Sequence, residues 1–255
     1  MAKRKKISSA SSSASQSGAF EFVKTIVYAL LIAVVIRTLA FEPFYIPSGS
    51  MVPTLLVGDY IFVSKFSYGY SHFSLPFAPD LFSGRIFGSY PKPGDVVVFR
   101  LPSDPSIDYV KRVIGLPGDT IQVTDGQLYV NGKEVPRTEI GTYVDTSEGA
   151  PIVLKEFNEN LPDGYTHHIL KATSQGFANN TGVYTVPPGD LFMMGDNRDN
   201  SEDSRFLNAV GYVPLENVVG RAQFVFFSID AQDPWWAFWD WPFEIRWNRL
   251  FHPVH

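Results

Sequence analysis

The 255-residue chain contains no cysteine. Thiol catalysis, cysteine–zinc sites and disulfides are therefore excluded, while the compartment stays open, because a cysteine-free chain suits either side of a membrane. Histidine is scarce: His72, His167, His168, His252 and His255 are the five. None lies in a tight turn or at a predicted strand end beside an acid, which counts against a serine–histidine–carboxylate triad. The patterns G-x-S-x-G and H-E-x-x-H are missing as well. Charged residues make up 18% and hydrophobic residues 45%, globular values that exclude bulk disorder. The net charge of −5 is uneven, with +4 in residues 1–50 and −9 in the rest. An acidic body argues against nucleic acid as a partner.

Long apolar runs are also few. The uninterrupted apolar part near the N-terminus, Thr25 to Ile36, is 12 residues, a length that suits a signal-peptide core or a buried helix as well as a membrane span. Its flanks decide. Ala19 to Phe41 gives 23 residues, about 34 Å of helix, with Lys24 and Arg37 placed to snorkel toward headgroups. The small-x-small trio Thr38-Leu39-Ala40 keeps a cleaved signal in view, but an uncleaved span fits the flanks better. Residues 1–18 read as a basic, polar tail without fixed structure, headed by Lys3-Arg4-Lys5-Lys6. No Lys or Arg follows Arg37 until Lys65. The positive-inside rule then places the tail in the cytoplasm and residues 42–255 on the outer face.

Beyond the span the pattern is β. Tyr60–Lys65, Asp95–Arg100, Asp108–Leu116, Leu191–Met194 and Val218–Ile229 read as strands from their β-branched and aromatic content. Thr120–Val135 reads as two strands joined at Asp125-Gly126, with a second turn at Asn131-Gly132. Residues 136–186 are polar and irregular, a smaller β-rich insertion. The expected fold is mainly β: an antiparallel β-rich domain with a smaller β insertion behind a single N-terminal transmembrane helix. Two segments stand apart. Phe66–Asp95 is aromatic, Gly/Ser/Pro-rich and poor in charge; it folds back on the core, dips into a membrane or lines a groove. The arm 233–255 holds all five tryptophans, Trp235 to Trp247, beside Arg246 and Arg249. It either packs on the domain or sits at a bilayer interface.

The stretch Pro43–Leu55, PFYIPSGSMVPTL, carries the chemistry. Ser48 and Ser50 flank Gly49 between Pro47 and Pro53. Such a turn can hold a hydroxyl out of the chain, although Ser/Gly/Pro turns are also common at surfaces. With histidine disfavoured, lysine is the base to consider. Lys111 sits mid-strand in Tyr109–Ile114, with Arg112 beside it on the opposite face. The strand either exposes Lys111 or buries it. If buried, its pKa must fall from ~10.4 to about 7–8 for it to serve as a base. In Gly195–Arg205, GDNRDNSEDSR, the spacing fails an EF-hand, which needs acceptors at positions 1, 3 and 5 and Gly at 6. Asp–Arg pairing that braces a site is the better reading.

These pieces occur in order: PSGSMVPTL, GDYIFVSKF, YVKRVIGLPGD, and GDNRDNSEDSR followed by Val219-Gly220-Arg221-Ala222. Together, behind an N-terminal anchor, they closely resemble the bacterial type I signal peptidases (leader peptidases), membrane proteases that use a Ser–Lys pair. The resemblance implies Ser50 as nucleophile, Lys111 as general base, and the Ser50 N–H with the Ser48 hydroxyl as oxyanion hole. It implies Ser201 as a residue orienting the lysine, Asp203 with Arg205 as a bracing pair, and Phe44, Ile46 and Val110 as walls of pockets for small side chains before the cut. It also implies signal peptides of exported preproteins as substrates, the bacterial inner membrane as location, an adjacent translocation machinery, and no metal or cofactor. After Arg205 the chain reads FLNAVGYVP where a shorter aromatic-Gly link is expected. A relative dedicated to one substrate, and a membrane-anchored β-domain binding protein, are the rival readings.

Overall fold

The computed structural model describes residues 12–75, 77–146, 151–230 and 241–255. Helix α1 spans Ser12–Leu39 and is apolar from Phe20 to Leu39. Its side chains in that stretch are largely exposed. A mainly apolar helix that no other element covers among the described residues suits lipid, and this 20-residue stretch gives about 30 Å, the thickness of a bilayer core. The helix begins at Ser12, inside the segment read as an unstructured tail, and Phe41 belongs to the first strand rather than to the span. Pro43, unable to extend a helix, follows close behind. Lys3, Arg4, Lys5 and Lys6 lie outside the described residues.

Strands β1 (Phe41–Tyr45), β2 (Asp59–Ser64), β3 (Val96–Leu101) and β4 (Asp104–Gly115) follow. Then come β5 (Thr120–Thr124), β6 (Gln127–Val130) and β7 (Lys133–Glu134). The insertion holds β8 (Arg137–Asp145), β9 (Ile152–Asn160) and β10 (Thr166–Lys171). The chain closes with β11 (Tyr184–Thr185), β12 (Asp190–Met194), β13 (Val213–Pro214), β14 (Val218–Ser228) and β15 (His252–Pro253). Among the described residues these form three antiparallel sheets. The main one runs β1-β2-β14-β3-β4-β12-β13, with β15 also on β14; the others run β10-β9-β8 and β11-β5-β6-β7. Asp125-Gly126 and Asn131-Gly132 have positive φ at both residues, 49° and 73°, then 53° and 72°. That is the type I′ geometry whose twist matches paired strands.

The main sheet packs one face on Ile46, Met51, Leu55, Ile61, Val63, Val98, Val219 and Val225. Each such side chain, once fully buried, contributes roughly 1.5–3 kcal/mol. Met51 and Leu55 come from the Ser50 stretch itself, so the core clamps that turn from below. Where α1 meets the domain, Glu42 joins Arg37 (2.6 Å) to buried Lys65 (2.7 Å), and Tyr70 donates its hydroxyl to Leu39 O (2.7 Å). These bonds set the helix at a defined joint, only a few residues from Ser50.

The described parts of both unplaced segments fold back on the core. Tyr68 is buried and donates to Asp95, and Arg85 donates to the carbonyls of Tyr68, Leu215 and Val218. Phe77 and Phe87 at the loop tips remain exposed. In the arm, Arg249 pairs with Asp59 (2.6 Å), Arg246 pairs with Asp230 (3.0 Å), and Val254 enters the core. Trp247 stays exposed, while Trp235, Trp236 and Trp239 lie outside the described residues.

Candidate active site

Ser50 occupies a single 3-10 turn, Gly49–Met51, entered from extended Ser48. The turn is held from both sides. Met51, Val52 and Leu55 are fully buried beneath it. From the Gly195–Arg205 loop, Asn197 N donates to Ser50 O (3.1 Å) and Asn197 Nδ2 to Gly49 O (3.2 Å). Pinned in this way, Ser50 Oγ faces Lys111.

Lys111 lies where β4 runs between β3 and β12, pairing with Val97. Its Nζ donates to Ser50 Oγ at 2.6 Å, and the residue is 3% exposed. The Tyr109 ring lies beside the amine, 5.2 Å from Nζ to centroid. Burial lowers the Lys111 pKa to about 8, against the upward pull of Asp203 and Asp196. Among the described residues no carboxylate pairs with the amine, so desolvation prevails. The exposed-strand alternative for Lys111 is thereby corrected. Arg112 is also fully buried, on the other face of the strand.

The loop Gly195–Arg205 braces this pair. Asp203 accepts from the Ser201 hydroxyl (2.8 Å), from Gly195 N (3.0 Å) and from the Arg205 guanidinium (2.8 Å). Ser201 thus bonds to Asp203 and makes no hydrogen bond to Lys111 Nζ. Its closeness to the site runs through Gly195, where a Cβ would collide with the Ser201 hydroxyl and lie 2.5 Å from Ser50 O. Only glycine lets the loop approach the Ser50 turn so closely. Ser48 is exposed, with its hydroxyl 3.4 Å from Ser50 Oγ.

A cleft of about 350 Å³ opens above the pair. Its walls include Phe44, Ile46, Pro47, Val98, Ile107 and Val110, and Ser48, Ser50, Lys111 and Glu202 also border it. The structure therefore brings together Ser50, Lys111, Ser48, Phe44, Ile46 and Val110 around one cleft, with Ser201, Asp203 and Arg205 immediately behind.

The family model for signal peptidase, peptidase S26, matches residues 19–227. The chain belongs to this peptidase family. Among relatives in the signal peptidase family, a signal peptidase I of Rickettsia typhi is 48% identical over 217 residues, covering 82% of this chain and 80% of that one. A signal peptidase I of Rickettsia canadensis is 43% identical over 251 residues, covering 91% and 92%. A solved signal peptidase I from Enterococcus faecalis V583 superposes with a TM-score of 0.31 at 26% identity, over 52% of this chain and 97% of that one. The assignment to the signal peptidases, and hence to the serine peptidase hydrolases, stands on the sequence matches.

Several site-bordering residues of this signal peptidase escaped sequence reasoning. Tyr109 and Glu202 meet across the cleft (3.1 Å), and Asn197 ties the loop to the nucleophile turn. Arg112 and Asp196 form a buried pair, with Thr54 donating to Asp196 (2.5 Å). Arg198 pairs with Glu159 of the insertion. The one available signal was the density of Asp, Asn and Arg in Gly195–Arg205, which indicated a network but not its partners in distant strands.

Proposed function

We propose that this chain is a single-span membrane serine endopeptidase that removes signal peptides from exported preproteins with a Ser50–Lys111 dyad. The observation that carries the reading is the 2.6 Å contact between a buried, carboxylate-free lysine and a serine held in a tight turn at the floor of an apolar cleft. With the Lys111 amine neutral, Nζ accepts the Ser50 hydroxyl proton as Oγ attacks the scissile carbonyl carbon. The oxyanion that forms is met by the Ser50 N–H and the Ser48 hydroxyl. As the C–N bond breaks, the Lys111 ammonium gives its proton to the leaving amine, leaving an acyl ester on Ser50. Water then attacks the ester, yields a proton to Lys111, and the collapse returns a proton to Oγ.

Substrate binding follows from the sheet edges. β1 is the terminal strand, and β12 covers β4 only from Arg112 onward. Among the described residues no strand pairs with the outer edge of β1 or with the outer edge of β4 before Arg112, so an extended peptide can lie between these two edges, and Phe44, Ile46 and Val110 leave shallow room for small side chains. That arrangement supports an Ala-x-Ala preference before the cut. Residues 20–39 cross the bacterial inner membrane, the tail lies in the cytoplasm, and residues 42–255 act at the outer surface beside the translocation machinery. The exposed aromatics of the loop and arm rest against the bilayer.

The test uses detergent-solubilised full-length protein and a precursor whose signal ends in Ala-x-Ala. Wild type should cut after the last Ala, while Ser50→Ala and Lys111→Ala, folded by circular dichroism, should not. An inert wild type, or efficient cutting by Lys111→Ala, overturns the dyad and favours a binding protein or a dedicated-substrate enzyme.

A further inference from the structure

A second cleft, of about 260 Å³, lies on the other side of the Ser50 turn. It is lined by Asp145, Ile152, Leu154, Ala172, Asn197, Asp199 and Asn200. The two clefts share Asn200 as a lining residue. Asn197 fastens the second cleft to the turn: besides its bonds to Ser50 O and Gly49 O, its Nδ2 donates to Asp145 Oδ2 at 3.2 Å. Asp199 holds the floor in shape by accepting from Ala172 N (2.7 Å) and Thr173 N (3.0 Å) and by pairing with Lys171 (3.2 Å). The cleft is thus built where the insertion, through β8 and β9, meets the loop that braces the dyad.

A peptide lying in the first cleft runs along residues 44–47 toward Ser48 and Ser50. The attacked carbonyl sits at Ser50 Oγ, so the chain beyond it leaves past Glu202 and Asn200, where the second cleft begins. We propose that this second cleft binds the first residues of the mature protein, on the leaving side of the scissile bond; the proposal rests on the Ser50–Lys111 reading. Its chemistry suits an extended, uncharged segment. Leu154 supplies a buried apolar floor, Ile152 an exposed apolar wall, and the exposed Asn200 amide can meet main-chain groups. The two carboxylates of the lining, Asp145 and Asp199, are held by Asn197 and by Lys171 with the Ala172 and Thr173 amides. Holding the leaving side orients the scissile amide against Ser50, so its contribution grows with substrate length on that side.

The experiment compares two peptides with the same signal-side residues. One is amidated directly after the first residue beyond the cut; the other continues for several uncharged residues. Full-length wild type, Ile152→Glu and Leu154→Ala are assayed in detergent. Ile152 is exposed, so its replacement leaves the fold intact and reads the cleft even if Leu154→Ala is unstable. The expected result is a loss of about tenfold in kcat/KM on the long peptide, no change on the short one, and unaltered inhibition by the signal-side product. Equal losses on both peptides, or none on either, overturn the proposal. A wild type that cleaves neither peptide overturns the peptidase reading and this proposal with it; a wild type that cleaves both while the variants behave like it overturns this proposal alone.

Discussion

Lys111 and Arg112 are neighbours in β4, 3% and 0% exposed, yet the two faces of the strand treat them oppositely. Arg112 donates bidentately to Asp196 (2.8 and 2.7 Å), to Gly94 O (2.6 Å) and to His255 O (3.0 Å). Burial works against its charge, but the Asp196 carboxylate outweighs burial, and the guanidinium pKa is raised. Among the described residues Lys111 Nζ hydrogen-bonds to the Ser50 hydroxyl and lies beside the Tyr109 ring, with no carboxylate paired to it, and burial takes it down to about 8. Equal burial therefore does not decide the protonation state; the partner does. One face of β4 is a charged brace and the other a neutralisable base, from two adjacent cations.

The largest test of this contrast is chemical. Ser50→Ala and Lys111→Met should each lower kcat/KM at least about a thousandfold, because parts that act as a unit fail together. Arg112→Lys should retain activity wherever the protein still folds. On stability the order reverses. Arg112→Met leaves Asp196 buried without its cation and should cost about 3–5 kcal/mol, seen in urea or thermal melts. A melt unchanged by Arg112→Met would mean the brace carries no stability.

Lys111→Met should instead stabilise. The folded-state pKa of about 8 lies below the unfolded value near ~10.4, so the native state binds fewer protons between those pH values. Wild-type stability therefore rises with pH through that window. The gain from Lys111→Met should be roughly 3 kcal/mol at pH 7 and fade as pH nears 10. A gain that does not fade would trace to packing instead. The same titration sets activity: kcat/KM of the wild type should rise with pH and level off above about 8, since the neutral amine is the base.

The difference between the two faces was only partly legible in the chain. Alternation correctly sent Lys111 and Arg112 to opposite faces, and the turn chemistry of Asp125-Gly126 and Asn131-Gly132 placed two hairpins. The main strands followed from β-branched runs, because a two-residue period is a local property. The brace was not local. Asp196 lies 84 residues from Arg112 and Glu159 lies 39 from Arg198, so no spacing rule pairs them. The same holds for Ser201, whose hydroxyl turns to Asp203 once Gly195 brings the loop against Ser50. The start of α1 at Ser12 was missed because Ser and Ala residues carry little apolar signal, although they extend a helix already formed.

The smallest expected effect is the sharpest probe of the lysine side. Glu202 is exposed at the rim of the cleft, accepts from the Tyr109 hydroxyl at 3.1 Å, and pulls the Lys111 pKa upward through space. Glu202→Gln keeps an acceptor for Tyr109 and removes only the charge. The rising limb of the pH–rate profile should move to lower pH by a few tenths of a unit, with the plateau rate unchanged. High salt should move the wild-type limb the same way and leave the variant almost still, because an exposed charge is screened. A limb that stays put in both proteins would mean that Lys111 is insulated from the rim and that its pKa is set by burial and the buried carboxylates alone. A limb that moves upward would contradict the assignment of Lys111 as the titrating base. Asp196 admits no such adjustment: neutralising it strands Arg112, whereas neutralising Glu202 leaves every buried group with its partner.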